Sequence, residues 1–324
     1  MKWSRHSAVT LALAFTLCTF GQACLAQAYP SKPLRFVVPY GAGGGPDVLA
    51  RVVGRALGEN IGQPVVVDNR PGGAGIIATE HVAKSPADGY TILVGDTGPL
   101  CINPNLFPKL PYDPVKDFAP VTIAITTPLF MVVNVGVPVQ SVAQLIEYAR
   151  THPGLPYGST GNGSVHQLAM ELFKLMAKVS MTHIPYKGVA QSVPAVITGD
   201  ITAVFAALPS VLPHVKSGKV RLIGVATGTR AQFMPDVPSI AETLPGYDIS
   251  IDTGFLVPAG TPNEIVERLR AEIVKVLGAP DIVQRFSTMG IIPIGNTPQQ
   301  YAETIRADLA KFGRLVRETG ARVD

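Results

Sequence analysis

The chain has 324 residues, of which 47% are hydrophobic and 15% are charged, a composition typical of a globular protein with a large buried core. Its formal net charge is only +4 and it contains no run of lysine or arginine, so nucleic acid is not an expected partner. The length is sufficient for two domains of ordinary size.

The first 28 residues have the pattern of a secretory signal peptide. Lys2 and Arg5 precede an apolar run from Ala8 to Phe20, and Ala26-Gln-Ala28 supplies an A-x-A cleavage site before Tyr29. The run is shorter than the roughly 20 residues that a membrane-spanning helix needs. Export with cleavage is therefore predicted.

Cleavage would remove Cys18 and Cys24 and leave Cys101 alone in a mature chain of 296 residues. A lone cysteine forms neither an internal disulfide nor a cysteine metal site, so Cys101 is expected to be a packing residue. Export without disulfides favours a bacterial periplasm. The mature net charge falls to +2, because the two basic residues of the signal are lost.

Short apolar runs alternate with amphipathic patterns along the mature chain. The runs are nearly continuous in apolar character, which predicts parallel strands covered on both faces. Strand–helix alternation predicts an α/β fold with right-handed crossovers. The predicted strands are Leu34–Val38, Val65–Val67, Thr91–Val94, Phe130–Val133, His183–Pro185, Ile201–Phe205 and Arg221–Ala226, and the predicted helices between them include Val48–Leu57, Val142–Arg150 and Val165–Ala177.

Two longer helices are predicted near the C-terminus, each opened by a Thr-Pro step. Thr261-Pro-Asn-Glu264 and Thr297-Pro-Gln-Gln300 both place Thr at the N-cap, Pro at the first helical position and Glu or Gln three residues after the cap. This is the capping-box pattern. Both helices are expected to pack on the first domain.

A glycine-rich turn, Gly41–Asp47, lies between the first predicted strand and its helix. Four glycines in five positions let the backbone approach a ligand, and a helix N-terminus favours an anion. Pro46 stands where a dinucleotide fingerprint needs Gly or Ala, and no Gly-Lys-Ser/Thr of a P-loop follows. A plain tight turn is the alternative interpretation.

A second turn, Tyr157–His166, combines three glycines with polar side chains before another helix. Ser164 is the predicted N-cap, and His166 lies in the first helical turn, where the dipole disfavours a protonated ring. The polar side chains are those of Ser159, Thr160, Asn162 and Ser164. Two such turns about 120 residues apart predict a clamp between two lobes for a small carboxylate.

An exported serine hydrolase is the main alternative, with Ser159 or Ser164 paired with His166. It lacks a Gly-x-Ser-x-Gly elbow and an obvious acidic third member. A metal site is not predicted, because the histidines have no paired ligand spacing. Arg70 is either an anion partner or a structural ion-pair partner of Asp68.

Several short segments of the mature chain match the motifs of one protein family. The first matching segment is Pro39–Arg51, which contains the first glycine turn. The other matching segments are Asp68–Gly75, Ala87–Thr91, Leu110–Phe118, Tyr157–His166, Pro185–Gly188, Pro209–Gly218 and Val257–Pro262. Together these segments resemble the Bug (TctC-like) substrate-binding proteins of tripartite tricarboxylate transporters, and the resemblance covers essentially the whole mature chain in one order.

The resemblance implies a type 2 periplasmic-binding-protein fold: two Rossmann-like lobes, a hinge, and a cleft that closes on the ligand. The expected division is a signal peptide at 1–28, a first lobe at 29–126 and 253–324, and a second lobe at 127–252. The expected partners are a small organic carboxylate and the membrane subunits of a tripartite transporter. No catalysis, cofactor or metal is expected, and the protein is expected to be a monomer. A ligand-sensing subunit of a receptor stays an alternative.

In that family the two turns hold a ligand carboxylate through backbone amides, hydroxyls and ordered water. The carry-over falls on Tyr40–Gly44 and Ser159–His166. The residues expected to bind ligand are Tyr40, Gly41, Ala42, Gly43, Gly44, Thr97, Ser159, Thr160, Gly161, Asn162, Ser164, His166, Ala206 and Asp252.

Two expected ligand positions depart from the family pattern. Ala206 falls where many relatives carry a polar or acidic residue, and Asp252 lies where an aromatic residue is common. An apolar wall at Phe205–Leu208 favours an aromatic or long-chain dicarboxylate, whereas Asp252 favours an amine or hydroxyl donor. The balance favours an aromatic or other dicarboxylate.

Overall fold

Strands and helices alternate along most of the chain. The computed structural model describes residues 29–322, so the predicted signal peptide lies outside the described residues. The strands are β1 Leu34–Val38, β2 Val65–Asn69, β3 Thr91–Asp96, β4 Phe118–Asn134, β5 Leu155–Ser159, β6 Met181–Pro185, β7 Ala203–Ala207, β8 Val220–Val225, β9 Ser250–Pro258 and β10 Ile292–Pro293. The helices are α1 Gly45–Ile61, α2 Ile76–Ala83, α3 Asn103–Leu106, α4 Val142–Thr151, α5 Val165–Ala177, α6 Val189–Thr198, α7 Leu208–Lys216, α8 Asn263–Leu277, α9 Pro280–Thr288 and α10 Pro298–Thr319.

Strand β4 runs through both halves of the sheet. From Phe118 to Pro128 it pairs with β9, and from Leu129 to Val133 it pairs with β7, antiparallel in both cases. The strand order is β2-β1-β3-β9-β4-β7-β5-β6, with β8 and β10 also paired to β4. The pairing partners thus change at the Pro128–Leu129 step.

The prediction of parallel strands is correct for only part of the sheet. β1 is parallel to β2 and β3, and β5 is parallel to β6 and β7. β9 and β4 are antiparallel to their neighbours because the chain passes between the two half-sheets along these strands. Phe130–Val133 is only the second part of β4, and β5 and β9 are absent from the predicted set.

The strands were predicted from apolar runs because their side chains are mostly buried in the core. All but one of the β1 residues are buried, and Phe36 packs its ring 4.8 Å from that of Phe255 in β9. Each fully buried side chain of this kind contributes about 1.5–3 kcal/mol. The apolar runs of the sequence thus correspond to strands whose side chains are mostly buried.

Local signals predicted some of the helix boundaries. α5 covers the predicted Val165–Ala177, and Ser164 caps it by accepting a hydrogen bond from the amide of Gln167. The capping box of Thr297 with Gln300 is confirmed. The one at Thr261 is wrong: α8 begins at Asn263, because the Thr261 hydroxyl donates to the carbonyl of Pro258 at 2.8 Å.

In residues 29–322 no helix has the length and apolar character required to cross a membrane. Cys101 is buried as a free thiol, in agreement with the predicted packing role.

Candidate functional site

The carboxyl ends of the parallel strands meet where β4 changes partners. β3 runs in the same direction as β4, and its last residue, Asp96, lies opposite Thr253 of β9. β7 runs in the opposite direction and ends at Ala207, opposite Leu129. Both carboxyl edges therefore point toward the Pro128–Leu129 step, which is where open α/β sheets bind ligands. The first turn follows β1 and the second follows β5, so the two turns lie on facing edges.

The first turn contains a carboxylate of its own. Asp47 in the first turn of α1 is 2% exposed and accepts hydrogen bonds from the Gly43 amide at 2.8 Å and from Nδ2 of Asn69 at 2.9 Å. Arg51 contacts both carboxylate oxygens at 3.0 Å. Hydrogen bonding by Arg51 is the main cause that lowers the pKa of Asp47 to about 2. The positive end of α1 is thus already neutralised in part, a role that the sequence analysis missed.

The outer side of this turn is open. Gly41, Ala42 and Gly43 are exposed and Gly44 is partly exposed. A Cβ added at Gly41 or Gly43 would meet no atom within 4 Å, although Gly43 has a φ of +88° that favours glycine. A ligand can therefore approach the backbone here without meeting a side chain.

The side chain of Tyr40 connects this turn to the end of β3. Its hydroxyl donates to Oδ1 of Asp96 at 3.0 Å, and the amide of Gly98 donates to the same oxygen at 3.0 Å. Asp96 is 7% exposed, and burial raises its pKa to about 6. Its place at the carboxyl end of a parallel strand is the signal that could have identified it.

Thr97 and Asp252 are brought together beside the same edge. The amide of Asp252 donates to Oγ1 of Thr97 at 3.0 Å, and the Thr126 hydroxyl donates to Oδ1 of Asp252 at 2.7 Å. Ser250 also donates to this oxygen, at 3.2 Å. Burial is the main cause that raises the pKa of Asp252. The Asp252 carboxylate thus bridges β9 and β4 near the point where β4 changes partners.

Hydroxyl groups of the second turn are used inside the protein. Ser159 is fully buried; its Oγ lies 2.6 Å from Nε2 of His183 and accepts from the Gly161 amide at 3.1 Å. Ser164 accepts from the Gln167 amide and donates to the carbonyl of Gly161 at 2.7 Å. Both serines shape the turn, whereas Asn162 is exposed and Thr160 is partly exposed.

His166 contacts Thr160 and neither serine. Its Nδ1 lies 2.9 Å from Oγ1 of Thr160. Desolvation by burial lowers the pKa of His166 to about 4, so the ring is neutral near pH 7, as predicted. The cause is burial, rather than the helix dipole predicted from the sequence.

The predicted apolar wall at Phe205–Leu208 is mostly core. Phe205 and Ala206 are fully buried, and Leu208 is 5% exposed. Phe205 stacks on the ring of Tyr247, and Ala206 packs in a cluster on the other face of β7. Only Ala207 is partly exposed, so the Ala206 methyl group lies in the core.

Arg70 pairs with Asp68. Its Nε donates to Oδ2 of Asp68 at 3.0 Å, and Arg35 contacts the same oxygen at 3.1 Å. The structural alternative for Arg70 is therefore the one that the contacts support.

Other features of the described surface lie away from the turns. A cavity of about 520 Å³ lies between α1 and α9 and contains none of the predicted ligand residues. Among residues 29–322, no group of three His, Cys, Asp or Glu side chains is placed to hold a metal ion.

Residues 49–321 match the family described as the tripartite tricarboxylate transporter family receptor, TctC. The chain belongs to the TctC family. A protein encoded in the tcbD-tcbE intergenic region of a Pseudomonas species is 37% identical over 311 residues, which are 95% of this chain and 92% of that protein. The family match begins within α1, so β1 and the first glycine turn precede the matched residues.

Solved TctC-like structures share the fold. The R. palustris protein Rpa4515, solved with adipate, is 36% identical with a TM-score of 0.80, and covers 91% of this chain and 100% of its own. MatC from Rhodopseudomonas palustris, solved with malate, is 29% identical with a TM-score of 0.74, and covers 89% of this chain and 100% of its own. The predicted periplasmic-binding-protein fold is confirmed, and these TctC relatives are solute-binding proteins rather than enzymes.

Proposed function

We propose that this protein is a periplasmic solute-binding protein that captures a small organic dicarboxylate and delivers it to the membrane subunits of a tripartite transporter. The observation that carries the proposal is the pair of glycine turns on facing carboxyl edges, each of which leads into a helix N-terminus. The signal-peptide pattern at residues 1–28 supports export. Adipate and malate in related structures support the ligand class.

Backbone and hydroxyl groups, rather than arginine, are proposed to hold the ligand carboxylate. Arg51 in α1 and Arg70 directly after β2 are paired with Asp47 and Asp68. The exposed backbone at Gly41–Gly44, apart from the Gly43 amide that donates to Asp47, and the Thr160–His166 pair are proposed to supply donors on the two edges. Hydrogen bonds to a charged acceptor contribute roughly 1.5–3 kcal/mol each, so a few of them suffice for micromolar binding.

The two half-sheets are proposed to act as lobes, residues 29–126 with 253–324 and residues 127–252. The change of partners at Pro128–Leu129, two residues after the proposed boundary, supports this division. The cleft between the carboxyl edges would then close by bending of β4 and β9.

Calorimetric titration of residues 29–324 with adipate, L-malate, succinate and terephthalate tests the proposal. We expect saturable one-to-one binding of at least one dicarboxylate. That ligand, at 100 times its dissociation constant, should raise the free energy of unfolding by about 2.7 kcal/mol. Matched monoamides of the same acids are the controls for charge. Absence of binding by all four acids, in a sample that unfolds cooperatively, would contradict the ligand class.

A further inference from the structure

Three side chains form a hydrogen-bonded relay beneath the second turn: Gln167, His183 and Ser159. Tyr157 of β5 lies opposite His183 of β6, and the two rings stack at 5.1 Å. Ser159 is two residues beyond Tyr157 and shares its face of the strand. The relay therefore follows from the register of β5 with β6, and Gln167 enters it from the first turn of α5.

The proton positions of the relay follow from one backbone contact. The amide of Gly163 donates to Oε1 of Gln167 at 2.7 Å, so the other end of this side chain is the NH₂ group. That group lies 3.2 Å from Nδ1 of His183, which must therefore be an acceptor. A neutral imidazole with an unprotonated Nδ1 carries its proton on Nε2 and donates it to Oγ of Ser159, 2.6 Å away.

The remaining bonds of Ser159 complete the relay. Its oxygen accepts from His183 and from the Gly161 amide, which uses both lone pairs. Its own proton lies toward the carbonyl of Gly161 at 3.1 Å. Ser159 has no base to take its proton, because the histidine is the donor in this pair. The direction is opposite to that of a serine hydrolase, where the histidine accepts from the serine.

We propose that Gln167 and His183 are positioning residues that hold the second turn in its ligand-binding shape before the ligand arrives. The relay holds the amides of Gly161 and Gly163 within the turn, next to the partly exposed Thr160. A turn that is already ordered loses less conformational entropy on binding. This inference rests on the proposed function, since the turn is taken to hold the ligand.

The surroundings of His183 keep the ring neutral. Burial is the main cause that lowers its pKa, and Glu171 and Lys174 oppose each other in their smaller effects. Lys174 pairs with Glu171 at 2.8 Å, and Glu171 also bonds with the Tyr157 hydroxyl.

Nitrogen NMR of histidine-labelled protein, without ligand and near pH 7, tests the relay directly. We expect His183 as the Nε2–H tautomer. In Gln167→Glu the carboxylate accepts from Nδ1, so we expect the Nδ1–H or the doubly protonated ring. An Nδ1–H or cationic His183 in the unsubstituted protein would overturn the proposed direction, and no ligand is needed to see it.

Adipate binding tests the positioning role. His183→Gln keeps an acceptor toward Gln167 and a donor toward Ser159, so its affinity is expected within about threefold of the unsubstituted protein. His183→Leu, which has neither, is expected to bind about tenfold more weakly. His152→Gln, at an exposed histidine after α4, is the matched control. Equal affinities of the Leu and Gln variants would overturn the role. If adipate does not bind the unsubstituted protein, the proposed function fails for that probe, and the tautomer result still decides the relay.

Discussion

The hydroxyl of Tyr40 donates to Oδ1 of Asp96 at 3.0 Å and so joins the first glycine turn to the end of β3. The acceptor is a buried carboxyl group whose pKa is raised to about 6 because burial disfavours its charge. The first turn, which is proposed to meet an anion, is therefore held by a second acidic group, Asp96, in addition to Asp47. The protonation of Asp96 is coupled to the stability of this edge.

Asp96→Asn is expected to remove a pH-dependent loss of stability. Asp96 has a raised folded pKa, so its favourable contribution is complete below the unfolded value of 3.8 and is lost as the pH rises through about 6. The Asn variant keeps an oxygen for Tyr40 and should be more stable above pH 7, by on the order of 2 kcal/mol. Urea unfolding between pH 4 and 8 measures this difference, and Asp236→Asn at an exposed position is the control. A variant that is less stable at every pH would contradict the expectation.

Gly43→Ala and Gly41→Ala separate backbone conformation from space. Neither added methyl group meets an atom within 4 Å, but only Gly43 has a positive φ, at +88°. We expect Gly43→Ala to lower the free energy of unfolding by about 1–2 kcal/mol and Gly41→Ala to change it by less than about 0.5 kcal/mol. Thermal unfolding of both variants gives the comparison. Equal effects would show that the turn relaxes to another conformation.

Thr160→Val and Ser159→Ala are expected to affect different properties. Thr160 is partly exposed on the turn, so its loss should weaken adipate binding by about tenfold with little change in stability. Ser159 is buried and bonded within the protein, so Ser159→Ala should also destabilise the fold, by about 1–3 kcal/mol, since it leaves the Gly161 amide and His183 without their acceptor.

Arg70→Ala should bind within about threefold of the unsubstituted protein. Loss of binding in Arg70→Ala alone would replace the backbone clamp with an arginine-centred site.

Closure of the two edges should be visible in solution. X-ray scattering of residues 29–324 is expected to give a smaller radius of gyration with saturating adipate than without it, because one ligand contacts both turns. Thr160→Val at the same adipate concentration should show a smaller change. An unchanged radius in the saturated protein would mean that the ligand does not draw the edges together.

Local chemistry was the readable part of the sequence. The Ser164 cap and the amphipathic pattern predicted both ends of α5, because these signals come from residues in the helix or next to it. The Thr261 cap was wrong because the Thr261 hydroxyl donates to the carbonyl of Pro258, three residues earlier, instead of capping α8. The extent of β4 was not predictable from periodicity, since its first part is a strand only through pairing with β9 and β10.

The candidate site divides in the same way. Glycines and hydroxyls identified both turns, whereas the groups that support them were missed. Asp96 is reached from Tyr40 across β1 and β3, and His183 reaches Ser159 only in the observed register of β5 with β6. Such partners are set by strand pairing, which the spacing of residues along one chain does not contain.

The 17-residue strand β4 runs without interruption through both half-sheets. Pro128 has no N–H and so adds no donor at the step where the ladder changes partners. Any rotation of one half-sheet against the other must therefore twist β4 and its neighbour β9. If the half-sheets move as proposed, the same two strands must deform both when a ligand is enclosed and when it is released.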